Sequence, residues 1–201
     1  VSSLATQPRT TLVDALLPRQ RSWAFDAVLI VAFSALVALT ARIQIPLWPV
    51  PITLQTLAVL FTGAALGSRR GALALLLYLA EGAVGLPVFA GGAGLAYMLG
   101  PTGGYLISYP IAAGLVGLLA EHGWDRRPAW TALAMVVGNL VIYALGVTWL
   151  AVFLGDPSTA LVSGMLIFVV GDLIKIAVAT LVLPGGWALA RRRRRAGENV
   201  G

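Results

Sequence analysis

The chain has 201 residues, 59% of them hydrophobic and only 11% charged, with a formal net charge of +6 and a mean hydropathy of +0.89. So little polar surface cannot coat a water-soluble globule of this length, and the composition assigns lipid as the main solvent. Cysteine is absent and His122 is the single histidine, so disulfides, iron–sulfur clusters and a zinc site built from nitrogen and sulfur ligands are effectively excluded.

In chain order, residues 1–22 carry Arg9, Arg19 and Arg21 and read as a tail. The apolar run Ala24 to Ala41 follows with no small-residue cleavage site ahead of a soluble domain, so it reads as a retained helix rather than a signal peptide. Further membrane spans are expected at Thr53 to Gly67, Gly71 to Gly85, Gly103 to Glu121, Ala129 to Leu154 and Ala160 to Leu189. The second and third are short and form a tight hairpin about Ser68, Arg69 and Arg70. The last is long enough to tilt or to project past the bilayer. Basic residues alternate between loops: Arg69 and Arg70, then Arg126 and Arg127, then the run Arg191 to Arg195, with only Arg42 on the other side. The positive-inside rule therefore puts both termini in the cytoplasm. The expected class is all-α, an integral membrane bundle of six transmembrane helices over residues 23–190, with tails at 1–22 and 191–201. The terminal arginine run directly follows an apolar segment, which suits anionic lipid headgroups rather than nucleic acid.

The two outward loops are unusual. The first, Arg42 to Gln55, contains Pro46, Pro49 and Pro51, which stiffen it and remove backbone donors, and Thr53 is placed to cap the next helix. The third, Leu86 to Gly104, has no charge and is rich in glycine, with Phe89, Gly91, Gly92 and Tyr97. Irregular apolar backbone of this kind survives at membrane depth only against protein or around a cavity. These loops are expected to fold over a pocket; the plainer alternative is that Trp48, Phe89 and Tyr97 anchor at the headgroup level.

Ionisable residues inside a span are rare and usually functional. The last span contains Gly171-Asp-Leu-Ile-Lys175, which places Asp172 and Lys175 three apart on one helical face. They either neutralise each other or offer an acceptor and a cationic donor to a polar ligand with an acidic end, and both readings can hold together. Asn139 and Tyr143 form a second polar pair, four apart, as interhelical glue or as ligand contacts. Gln55 and Thr56 open the second span just below the first loop. Counting along the last span puts Asp172 roughly 20 Å from its start, near mid-membrane.

Lys175 is the only lysine, and no Gly-rich loop precedes it in the P-loop spacing, so any use of ATP requires a partner. No G-x-S-x-G elbow or H-E-x-x-H pair is present, so no enzyme is expected and no metal site. In the first span, Ser34 and Ala38 make a small-xxx-small pair that lets another helix approach, either inside the bundle or from a partner.

Four segments in order, Pro49-Val-Pro-Ile-Thr-Leu-Gln55, Gly85-Leu-Pro-Val-Phe-Ala-Gly-Gly92, Gly100-Pro-Thr-Gly-Gly-Tyr105 and Gly171-Asp-Leu-Ile-Lys175, resemble the BioY family. These are the biotin-binding S components of energy-coupling factor (ECF) transporters. The resemblance implies a bacterial plasma-membrane subunit that captures biotin from outside, in a pocket closed by the first and third loops. It also implies partners: a transmembrane T component and two ATP-binding-cassette ATPases, docking on small residues of the first helix. Here the family's Ala-xxx-Ala pattern is Ser34 to Ala38. Biotin is then transported ligand rather than cofactor, with Asp172 expected to accept from its ureido N–H groups and Lys175 to donate to an oxygen. Two other classes compete: a self-sufficient facilitator, which needs a continuous polar path, and an assembly subunit with no ligand.

Overall fold

The computed structural model describes residues 10–17 and 22–198. Arg9, Arg19 and Arg21 of the expected N-terminal tail lie outside the described residues. The helices in chain order are α1 (Leu12–Leu16), α2 (Trp23–Thr40), α3 (Gln55–Leu66), α4 (Ser68–Ala83), α5 (Gly94–Met98), α6 (Gly103–Glu121), α7 (Pro128–Leu154), α8 (Pro157–Gly164) and α9 (Val169–Glu198). Among the described residues the regular structure is helical but for one hairpin of two-residue strands, β1 (Gln44–Ile45) and β2 (Ile52–Thr53), in which Gln44 pairs with Thr53 and Ile45 with Ile52.

Among the described residues, four helical stretches are long and apolar enough to cross a membrane: Trp23–Thr40, Gly103–Glu121, Pro128–Leu154 and Pro157–Arg193. Their faces are unequal. The apolar stretch of α6 is 67% buried inside the protein, against 17% for that of α2, so α6 is the central post and α2 a peripheral one. Val28, Val31 and Leu39 of α2, and Leu173, Ile174 and Leu181 of α9, are exposed large apolar residues. Such a surface suits hydrocarbon, not water.

Small residues set how closely the helices cross. A Cβ on Gly63 of α3 would lie 2.2 Å from the Ala113 carbonyl oxygen of α6, and one on Gly117 would lie 2.5 Å from Gly67. The α3–α4 connection differs from the expected three-residue turn: it is Gly67 alone, at φ +86, while Ser68, Arg69 and Arg70 already belong to α4. Only glycine tolerates that positive φ cheaply. The first-turn amide of Ser68 is then capped from α6, the Glu121 carboxylate accepting from its N–H at 2.7 Å and from its hydroxyl at 2.7 Å.

Two further departures matter. The segment before the first span contains α1, which is strapped to the bundle: Arg70 donates to both oxygens of Asp14, at 3.0 and 2.7 Å, to Asp26 at 3.1 Å and to Thr11 at 2.9 Å. The expected last span, Ala160 to Leu189, is not one helix. It breaks after Gly164, passes through a 3₁₀ turn at Leu166–Phe168 and restarts as α9 at Val169. Tyr105 of α6 holds the break: its ring sits against Gly146 and Gly164, and its hydroxyl donates to the Gly164 carbonyl at 2.8 Å. That carbonyl belongs to the unsatisfied last turn of α8.

Candidate functional site

At the end of the bundle where α2, α4 and α7 finish and α9 begins, a cavity of about 550 Å³, counted out to its mouth, lies between α3, α6, α7 and α9. Its floor is polar and its walls largely apolar or aromatic.

The floor is built around the first turns of α9. Because the helix restarts at Val169, Asp172 lies in its first turn and Lys175 one turn on, both near the mouth-side end of the bundle rather than at the middle of a long span. Lys175 Nζ donates to Asp172 Oδ1 at 2.9 Å and to Thr56 Oγ1 at 2.8 Å, and the Tyr143 hydroxyl donates to Asp172 Oδ2. The Asp172 and Lys175 side chains are only 7% and 11% exposed. Charges this buried persist only when paired and hydrogen-bonded. The pair is thus mutually neutralised, and both members still line the cavity.

The walls carry the remaining polar groups. Gln55 lines the cavity and donates to the Tyr78 hydroxyl at 2.6 Å. Thr53, from the hairpin, also lines it and accepts the backbone N–H of Gln55 at 3.2 Å; it is not the helix cap expected of it, because α3 starts after Leu54, which makes no side-chain cap bond. Val50, Pro51 and Ala90 come from the two loops, and Tyr97 from α5. A hydrogen bond of 2.5 Å from the Gln44 amide to the Ala90 carbonyl ties the loops together over the site.

Of the residues expected from sequence, Asp172, Lys175, Tyr143, Gln55 and Tyr97 converge on this cavity. Asn139 does not reach it; one turn along α7 from Tyr143, it lines a separate, smaller pocket beneath Thr56 and Lys175. Phe89 is fully buried behind the wall, stacked on Tyr97. Gly91 and Gly92 lie against Tyr97, where a Cβ would come within 3.5 Å of its hydroxyl and 2.6 Å of its ring respectively. Trp48 is 78% exposed at the hairpin tip. Ser34 is fully buried, its hydroxyl donating to Glu81 of α4 at 2.6 Å, whereas Ala38 lines an open groove between α2 and the segment after α4. Ser34 thus faces inward and Ala38 borders the surface.

Sequence reasoning did not anticipate Thr102, Tyr105, Tyr109 or Phe168, which also line the cavity. Tyr105 follows two glycines that open α6, a pattern that signals close packing. Tyr109, beside Pro110, is 5% exposed and carried no local signal.

A protein-family model described as the BioY family matches residues 11–192. The chain is 41% identical over 158 residues to the probable biotin transporter BioY of Pyrococcus horikoshii, covering 78% of this chain and 93% of that protein. It is 45% identical over 151 residues to the biotin transporter BioY of Thermotoga maritima, covering 75% and 88%. Among solved structures it matches the S-component for biotin from an ECF-type ABC transporter with a TM-score of 0.67 at 27% identity, over 86% of this chain and 92% of that one. The apolar helices, the polar-floored cavity and these matches agree, and the chain belongs to the BioY family.

Proposed function

We propose that this chain is the biotin-binding membrane subunit of an ECF-type uptake transporter, and not an enzyme. The reading places it in a plasma membrane with six spans, α2, α3, α4, α6, α7 and the broken α8–α9 unit, and with both termini cytoplasmic. A T component and two ATP-binding-cassette ATPases would then supply the energy, and Arg191 to Arg193, exposed at the end of α9, would meet anionic lipid.

The observation that carries the reading is the cavity floor. Asp172, Lys175, Thr56 and Tyr143 present an acceptor, a cation and two hydroxyls at one end of an otherwise apolar and aromatic chamber. A bicyclic urea has the complementary outline, with two N–H donors and a carbonyl acceptor on an apolar body. In this pose Asp172 accepts from the ureido N–H groups and Lys175 donates to an oxygen.

The test is a calorimetric titration of the purified, detergent-solubilised chain with biotin. Saturable one-to-one binding, lost in Asp172→Asn and in Lys175→Ala, supports the reading, and unchanged affinity in both variants refutes the site. Biotin uptake by the chain alone into liposomes, without any ATPase, would instead identify a self-sufficient facilitator.

A further inference from the structure

The segment between α4 and α5 is held by an arrangement that the binding site itself does not require. Phe89 belongs to irregular chain, yet its ring has no exposed surface. It is seated on the bare backbone of Gly82, in the last turn of α4: a Cβ there would fall 1.9 Å from the Phe89 Cζ and 2.3 Å from Cε1. No side chain other than hydrogen fits under the ring. One turn earlier on the same face, the buried Tyr78 meets Phe89 edge-on, with ring centroids 5.4 Å apart and planes at 77°. The Tyr78 hydroxyl donates to the carbonyl of Val88, the residue before Phe89, at 3.3 Å, and accepts from Gln55 at 2.6 Å. The opposite face of Phe89 stacks on Tyr97, at 5.4 Å and 17°, and Tyr97 is cavity wall.

We infer that Phe89 is a positioning residue: its insertion into the Gly82 seat is the latch that holds residues 88–97 as the closed wall of the cavity, and so sets how fast a bound ligand escapes. This rests on the proposed ligand site and deepens it. Phe89 does not line the cavity, so its effect runs through Tyr97 and Ala90. A buried aromatic ring packed this closely is strongly stabilising, and its removal is among the costliest of core truncations. Losing it therefore shifts the closed–open balance of the wall by orders of magnitude, while the floor at Asp172 and Lys175, on another helix, is untouched. The latch is mutual: Gly82→Ala expels the ring, and once the ring is gone the added methyl has nothing to strike.

The experiment compares the wild type with Gly82→Ala, Phe89→Ala and the double variant, measuring the dissociation rate of labelled biotin after a chase of unlabelled biotin. Each single substitution is expected to raise the off-rate tenfold or more with the on-rate changed less than about threefold. The double is expected to match Phe89→Ala alone, the non-additivity of two residues in direct contact, while the off-rate rising with the on-rate nearly unchanged marks a wall that opens rather than a fold that is merely destabilised. Wild-type off-rates in Gly82→Ala, or off-rate effects that multiply in the double, overturn the latch. A ligand-independent arm keeps the inference testable if the biotin reading fails. The chain has no native cysteine, so Ala90→Cys, at a position 6% exposed, reports opening by maleimide labelling of the ligand-free protein. Labelling at least tenfold faster in the Gly82→Ala background supports the latch, and equal rates refute it. Absence of biotin binding by the wild type, with faster labelling in the variant, refutes the ligand and keeps the latch.

Discussion

Removing the Lys175 cation should destabilise the protein sharply, and removing its partner's charge as well should restore most of the loss. In Lys175→Met the Asp172 carboxylate, 7% exposed, keeps the hydroxyls of Tyr143 and Thr56 but loses its only ion-pair partner among the described residues. Leaving one member of a buried pair uncompensated costs about 3–5 kcal/mol. At about 2–4 °C per kcal/mol for a chain of this size, the midpoint should fall by about 6–20 °C. In the double variant Asp172→Asn/Lys175→Met both charges are gone, and the amide oxygen that replaces the carboxylate still accepts from Tyr143. Its cost should therefore be smaller than that of Lys175→Met alone, with a coupling energy of at least about 2 kcal/mol. Thermal unfolding in detergent, followed by circular dichroism without ligand, reads all four corners of the cycle. Effects that add to within about 0.5 kcal/mol would show the two residues to be independent and refute the account of the floor.

Three further outcomes concern other parts of the molecule. Asp125, 2% exposed below the bundle between α6 and α7, accepts from the Trp187 indole N–H, and burial pushes its carboxyl up to about 6; the native state thus holds the proton more tightly than the unfolded chain. Stability from this group should be full below about pH 4 and decline by about 3 kcal/mol as pH rises through about 6, and Asp125→Asn should flatten that part of a stability–pH curve. Gly63→Ala drives a Cβ to 2.2 Å from the Ala113 carbonyl and should cost about 1–3 kcal/mol or more, whereas Gly185→Ala, with nothing within 4 Å, should be neutral or stabilising by about 0.5–1 kcal/mol; thermal midpoints distinguish them. Arg70→Lys replaces a forked donor to Asp14 by a point charge, so hydrogen exchange across α1 should accelerate while the core helices keep their protection.

Much of the helical layout was legible because long apolar segments in a lipid-solvated chain have few alternatives. α2, α6 and α7 begin and end within one residue of where hydropathy placed them. The floor of the site was legible too, since Asp172 and Lys175 stand out against an apolar run. What stayed hidden depends on long-range contacts. The break after Gly164 is invisible to hydropathy because both sides are equally apolar; Tyr105, far away in sequence, holds it by filling the space over Gly146 and Gly164. The same break removes the conflict between an Asp172 expected at mid-span and a pocket expected near one end of the bundle, because the helix begins again at Val169. Phe89 and Tyr97 were both marked by their glycine-rich setting, but only the packing distinguishes the residue that forms the wall from the one behind it. Trp48, in its proline-rich loop, is exposed and does not line the cavity.

α9 joins two distant places in the molecule. Its first turns hold the floor of the cavity, and Trp187, fifteen residues after Asp172 and roughly 22 Å along the axis, is pinned by Asp125 and covered by Arg126, whose guanidinium carbon lies 4.5 Å from the ring centroid. Such a rod is a lever. A rotation of about 5° around the lower pin would move the upper end by about 2 Å at that arm length, enough to make or break the hydrogen bond from the Tyr143 hydroxyl to Asp172. Pro184, just above the pin, removes one backbone hydrogen bond from the helix. The floor of the cavity and the loop at the far end of the molecule are therefore joined by one continuous helix.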